Sequence, residues 1–134
     1  MTTVRISDDA LAVALGADEL AEAFAKAGCT VERVSSWGMH WLEPLVDLDG
    51  MGFGPARPGD VAAILDGSST KAIGRIADHP FIASQQRLTF ARAGQTRPLS
   101  LDDYAATGGW GFEGFKGDST TDRAVTQANA AKAC

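Results

Sequence analysis

A strand, a helix and a second strand open the chain, and this run constrains its fold more than any other feature. Thr2 to Ser7 is β-branched and alternating, with Val4 and Ile6 on one face and Thr3 and Arg5 on the other. Ser7-Asp8-Asp9 ends that strand and offers helix-capping side chains. Leu11, Leu15, Leu20, Ala23, Phe24 and Ala27 then recur at helical spacing. Gly16 interrupts the pattern, so a loop or short turn is expected first and a helix from about Ala17 to Ala27. Asp18 and Glu19 in its first turn, Lys26 in its last and Gly28 just beyond suit the helix dipole and a glycine cap. Cys29 to Ser35 reads as the second strand. Strands joined through a helix lie parallel, with a right-handed crossover.

Next comes Ser35-Ser36-Trp37-Gly38-Met39-His40-Trp41-Leu42-Glu43-Pro44-Leu45-Val46, an aromatic turn loaded with two indoles. Gly38 between bulky neighbours marks a position where a Cβ is unwelcome. Pro44 biases Glu43 towards extended backbone, so a third strand is expected over Leu45 to Leu48. Asp49-Gly50 is a hairpin signal, and Met51 to Gly54 returns as a fourth strand. A helix is expected from Pro58 to Leu65. The expected fold class is therefore α/β: a mixed four-stranded sheet in the order βαβββα with flanking helices and an extended C-terminal segment. Three regions follow: 1–67 as the folded domain, 68–110 as a basic connector with short helices, and 111–134 as a tail expected to fray.

The connector differs in charge. Lys71, Arg75, Arg87, Arg92 and Arg97 face only Asp78 as an acid between Thr70 and Pro98, whereas the first half is acid-rich. Such a segment is expected to lie over an acidic surface, its own or a partner's. Within it, Phe81 to Gln86 is compatible with a helix, Arg87 to Arg92 alternates like a short strand, and Ser100 caps a short helix from Leu101 to Ala106.

At 134 residues the chain fits one domain able to bury a core, and its net charge of −5 disfavours non-specific nucleic-acid binding. No apolar run approaches a membrane span, and the N-terminus lacks the apolar region of a signal peptide. Only Cys29 and Cys134 are present, so a reducing cytoplasm is the expected compartment.

The order of elements resembles the thioredoxin-like [2Fe-2S] ferredoxin domain of respiratory complex I and its relatives. Trp41-Leu42-Glu43-Pro44-Leu45-Val46, Arg87-Leu88-Thr89-Phe90-Ala91-Arg92, Pro98-Leu99-Ser100-Leu101-Asp102-Asp103-Tyr104 and Gly108-Gly109 together resemble the N-terminal part of the beta subunit of NAD-dependent formate dehydrogenases. The similarity runs from about Thr3 to Trp110. It implies a thioredoxin-like fold and a place among the other formate dehydrogenase subunits. FMN, NAD and iron-sulfur clusters are implied for the larger subunit or complex, and no cofactor for this chain. The resemblance also implies four thiolate positions: a pair in the loop after the first strand and a pair in the aromatic turn. On this chain they fall at about Ser7, Ala12, Ser36 and His40, and none is cysteine. One imidazole, two hydroxyls and a methyl cannot hold a [2Fe-2S] cluster. The expectation is a vacated socket filled by the aromatic turn, in a fragment, a truncated copy or a chain with an altered C-terminus. The subunit's flavin and NADH motifs do not follow before Cys134.

No catalytic residue is assigned. Trp37, Trp41, Arg87 and Arg92 are the docking candidates. His40 has two readings, a ligand or proton relay and a hydrogen-bonded packing residue, and no second ligand stands near it in sequence to make a metal site. His79 precedes Pro80 in a loop, where a solvent role is the simpler one. Cys29 is either a reactive thiol or a buried inert one, and no Cys-x-x-Cys partner supports the first. Gly50 to Gly54 has glycine spacing reminiscent of nucleotide loops, yet it opens a strand where a phosphate loop opens a helix. Gly108 to Gly117, with Trp110, Phe112 and Phe115, reads as either a clamp for a planar ligand or a linker. The leading reading is a non-catalytic docking domain. A stand-alone thiol redox protein and a small-molecule-binding protein of the same fold are the alternatives.

Overall fold

The computed structural model describes residues 2–87, 90–97 and 99–108. It divides into two units, Met1–Pro98 and Leu99–Cys134.

The opening run folds as its pattern dictates. β1 (Thr3–Ser7) sends Val4 and Ile6 into the core and Arg5 to the surface. Asp9 caps α1 (Ala10–Ala14), its carboxylate accepting the Ala12 N–H at 2.9 Å. Gly16, at φ +101°, breaks the helix and starts α2 (Ala17–Lys26). The far end of α2 closes on Gly28 in the left-handed conformation. Gly28 N–H donates to Ala25 O and Cys29 N–H to Phe24 O, the paired bonds of a Schellman cap. β2 (Thr30–Val34) then lies parallel to β1, with Thr3 opposite Thr30 and Ser7 opposite Val34.

β3 (Val46–Leu48) runs antiparallel to β1 and pairs with β4 (Met51–Phe53) through Asp49 and Gly50. Both turn residues have positive φ, +51° and +86°, the signature of a two-residue hairpin whose twist matches its strands. α3 (Val61–Leu65) follows a single 3-10 turn over Pro58–Asp60. This is the expected thioredoxin-like arrangement, an α/β unit with a parallel βαβ pair joined to an antiparallel hairpin.

The sheet has five strands, not four, in the order β2-β1-β3-β4-β5. β5 (Ala72–Arg75) lies antiparallel to β4. Gly52 makes room for it: a Cβ there would stand 2.7–2.8 Å from the Ile73 and Ile76 side chains. The expected boundary at residue 67 therefore falls inside the first unit, and the stretch read as a connector is partly sheet. α4 (Pro80–Ala83) is shorter than the helix expected there. The strand expected over 87–92 does not form in its described part. Phe90 to Gln95 turns twice, through Ala93 N–H to Phe90 O and Gln95 N–H to Arg92 O. Leu88 and Thr89 lie outside the described residues.

Two apolar clusters hold the first unit. On one face of the sheet Val4, Ile6, Val46 and Phe53 pack against Ala12, Leu20, Phe24, Val61 and Ile64 of the helices. On the other, Val34, Leu45 and Ile76 pack with Trp37 and Met39 of the aromatic turn. Leu11 and Leu15, expected on the buried side of the helical run, are exposed. In the second unit α5 (Leu101–Ala106) starts at Ser100, whose Oγ accepts the Asp103 N–H at 3.2 Å. The expectations for Gly109 onward, including Trp110, Phe112, Phe115 and the tail, lie outside the described residues.

Candidate functional site

The second cluster borders a closed polar knot where the end of β1 meets the aromatic turn. Ser7 ends β1 fully buried, and Ser36 follows β2. Between them sits the carboxylate of Glu43, only 4% exposed. Its Oε1 accepts from Ser7 Oγ at 3.0 Å and from Ser36 Oγ at 2.8 Å. Its Oε2 accepts the Leu45 N–H at 3.0 Å. The local sequence explains the last bond. Pro44 has no N–H, so Leu45 carries the first donor of the new strand, and a carboxylate two residues back reaches it. Ser36 Oγ also accepts the Gly38 N–H at 3.0 Å, which fixes the turn where Gly38 has φ +87°. A buried carboxylate is tolerated where donors meet it, and three do.

Arg87 and the residues Gly94 to Arg97 strap this knot. Arg87 Nη2 donates to the Trp37 carbonyl at 2.7 Å. Gly94 N–H donates to Ser35 Oγ at 3.1 Å, and Ser35 N–H to Thr96 O at 2.6 Å. Arg97 Nε reaches Asp8 Oδ2 at 2.9 Å. Asp8 also pairs with Arg33 at 3.2 Å, and Arg33 with Asp18 at 2.7 Å. Gly94 has φ +80°, and the Trp37 indole occupies the space a Cβ would need. Part of the basic segment thus lies over an acidic surface of its own chain.

The four positions that the resemblance names have different surroundings. Ser7 and Ser36 meet on Glu43. Ala12 is buried within α1 with its N–H on Asp9. His40 is exposed where the 3-10 turn His40–Leu42 begins. Trp37 is buried, at 6% exposure, whereas Trp41 is 57% exposed and meets Phe81 edge-on, ring centres 4.9 Å apart. Only Trp41 belongs to the 3-10 turn; Trp37 precedes it, across Gly38 at φ +87°. Of the docking arginines, Arg87 is turned inward on Trp37 O and Gln85, and Arg92 is half-buried in the 90–95 turns. Cys29 is half-buried against the helix-side core. His79 caps α4, its Nδ1 accepting the Phe81 N–H at 3.3 Å. Gly50 to Gly54 is hairpin and strand, as read.

Glu43 went unassigned in the sequence reading. The signal was a carboxylate between Leu42 and Pro44 at the entrance of an apolar strand. Asp47 is a second buried acid, on β3. Burial raises its carboxyl above the ordinary range, against the pull of the Gly50 N–H at 2.6 Å and of Arg5 at 3.8 Å. With Thr3, Arg5 and Asp49 it lines a dent of about 60 Å³, far below the roughly 300–1,000 Å³ of small-molecule sites. Among the described residues no group of three His, Cys, Asp or Glu side chains is placed to hold a metal ion, and no helix is long and apolar enough to cross a membrane.

No family model and no curated protein matches the chain. Among solved structures it is similar to a thioredoxin-like [2Fe-2S] ferredoxin from Aquifex aeolicus. The identity is 15% over 60% of this chain and 96% of that one, with a TM-score of 0.49. A cysteine-to-serine variant of that ferredoxin matches at 18% identity over 56% of this chain and all of the other, TM-score 0.46.

Proposed function

We propose that this chain is a non-catalytic docking domain of the beta subunit of an NAD-dependent formate dehydrogenase, its iron-sulfur socket closed by a side chain. The observation that carries the reading is Glu43 bonded at once to Ser7 and Ser36. Those are two of the positions where the resembled domain needs thiolates, one from each ligand-bearing loop. The donor set does not fit a [2Fe-2S] group. Both hydroxyls are committed to a carboxylate, Ala12 offers a methyl group, and His40 points to solvent from a separate turn. Four thiolates, or two with two imidazoles, are the requirement. The two loops remain joined without metal, so the scaffold keeps its shape for assembly. The exposed Trp41–Phe81 pair is the sort of aromatic anchor that partner surfaces bury. On this reading the flavin, NAD and cluster chemistry belongs to the larger subunit or complex.

The test is co-expression of the tagged chain with the flavin-bearing and formate-oxidising subunits of a formate dehydrogenase from the same source. Stoichiometric co-elution is expected, weakened by Trp41→Ser. Elution of the chain alone at micromolar concentrations would overturn the assignment.

A further inference from the structure

A second uncovered surface surrounds α1. Ala10-Leu11-Ala12-Val13-Ala14-Leu15 is apolar at every position, yet only Ala12 is buried. Leu11 is 41% exposed, Val13 38% and Leu15 52%. Leu11 and Leu15 are four residues apart and share one side of the helix, while Val13 flanks the other. A helix apolar all round is ordinarily a buried one. Among the described residues of the first unit, none covers it.

The charges at its two ends restrict what can. Asp8 and Asp9 precede α1, and Asp18, Glu19 and Glu22 follow on the first turns of α2. Arg33 and Arg97 pair with Asp8, Arg33 with Asp18, and Lys26 with Glu22, which leaves the border net negative. A second copy is a poor occupant. Two-fold packing of α1 on α1 would set acidic ends against acidic ends, whichever way the helices ran. We propose that α1 with Leu15 is a docking surface for an amphipathic helix of a different polypeptide, its apolar stripe bordered by lysine or arginine. This rests on the docking reading above and names a face and a partner chemistry for it.

The probes are two fluorescein-labelled synthetic helices of equal length and apolar stripe, one leucine/lysine and one leucine/glutamate. Binding is read by anisotropy at about 0.15 M salt, where exposed charges act only over a Debye length of roughly 8 Å. The leucine/lysine helix is expected to bind at least about tenfold more tightly than its acidic counterpart. Leu11→Ser with Leu15→Ser should weaken it by about tenfold or more, while the thermal midpoint stays within a few degrees because both side chains are already exposed. Absence of binding, equal binding of both helices, or equal binding to the double variant would overturn the proposal. So would a wild-type dimer in sedimentation that the double variant dissolves, which would make a second copy the occupant. Failure here with intact subunit co-elution removes α1 as the face. Failure of co-elution with intact peptide binding removes the formate dehydrogenase assignment.

Discussion

Glu43→Ala isolates the carboxylate that joins the two loops. The substitution strands three donors. The Leu45 N–H is buried beside Pro44, and an unmade buried bond costs roughly 1–3 kcal/mol. Ser7 Oγ is fully buried and loses its acceptor, a further ~1 kcal/mol or more. Ser36 is half-buried, so water replaces part of its lost bond. The sum is about 2–5 kcal/mol, at the upper end of single-substitution effects. For a unit of this size each 1 kcal/mol lowers the thermal midpoint by roughly 4–8 °C, so a fall of about 8 °C or more is expected. Glu43→Gln keeps one acceptor and turns an amide donor towards its surroundings, so it should fall between wild type and alanine. Urea denaturation with an unchanged m-value separates a stability loss from a change in the unfolded state. Adding Ser7→Ala to Glu43→Ala should cost little more, because the bond is already gone. A loss below about 1 kcal/mol for Glu43→Ala, or full additivity with Ser7→Ala, would refute the reasoning.

Gly94→Ala should cost about 2–4 kcal/mol by urea denaturation, from a left-handed backbone and from displacing the Trp37 indole. Trp41→Ser should cost only about 0.5–1.5 kcal/mol, the edge-on contact with Phe81, while weakening subunit assembly about tenfold or more in a titration. Asp47 has a raised pKa in the folded state, so its contribution is fully present below the unfolded value of 3.8 and is lost as pH rises through the folded one. Asp47→Asn removes that loss: its urea midpoint should gain on wild type as the pH is raised above the unfolded value of 3.8. Cys29→Ser should leave every thiol-exchange rate unchanged. A loss of exchange would instead favour a thiol redox protein.

The early fold was legible because its signals are local. Alternation in Thr3–Ser7, the charge order of α2, Gly28 and Asp49-Gly50 each act within a few residues. β5 was not legible, because four residues containing Gly74 become a strand only when Gly52, more than twenty positions away, leaves space for Ile73. Nor was the fate of the two tryptophans. Trp37 and Trp41 look equivalent in sequence, but Trp37 packs in the second cluster and Trp41, in the 3-10 turn, is exposed. The four replaced positions could be named from the resemblance. The carboxylate that joins two of them could not, because Glu43 precedes a proline and reads there as backbone punctuation. Its partners are Ser7, the last residue of β1, and Ser36, just after β2, and only the packed sheet brings both within 3.0 Å of its carboxylate.

Anaerobic incubation of the purified chain with ferrous iron and sulfide, followed by desalting, iron and acid-labile sulfide assay and visible spectroscopy, tests the closed socket most directly. A colourless protein with iron far below one atom per chain is expected. A brown protein holding two irons and two sulfides per chain, with the visible bands of a [2Fe-2S] centre, would contradict it.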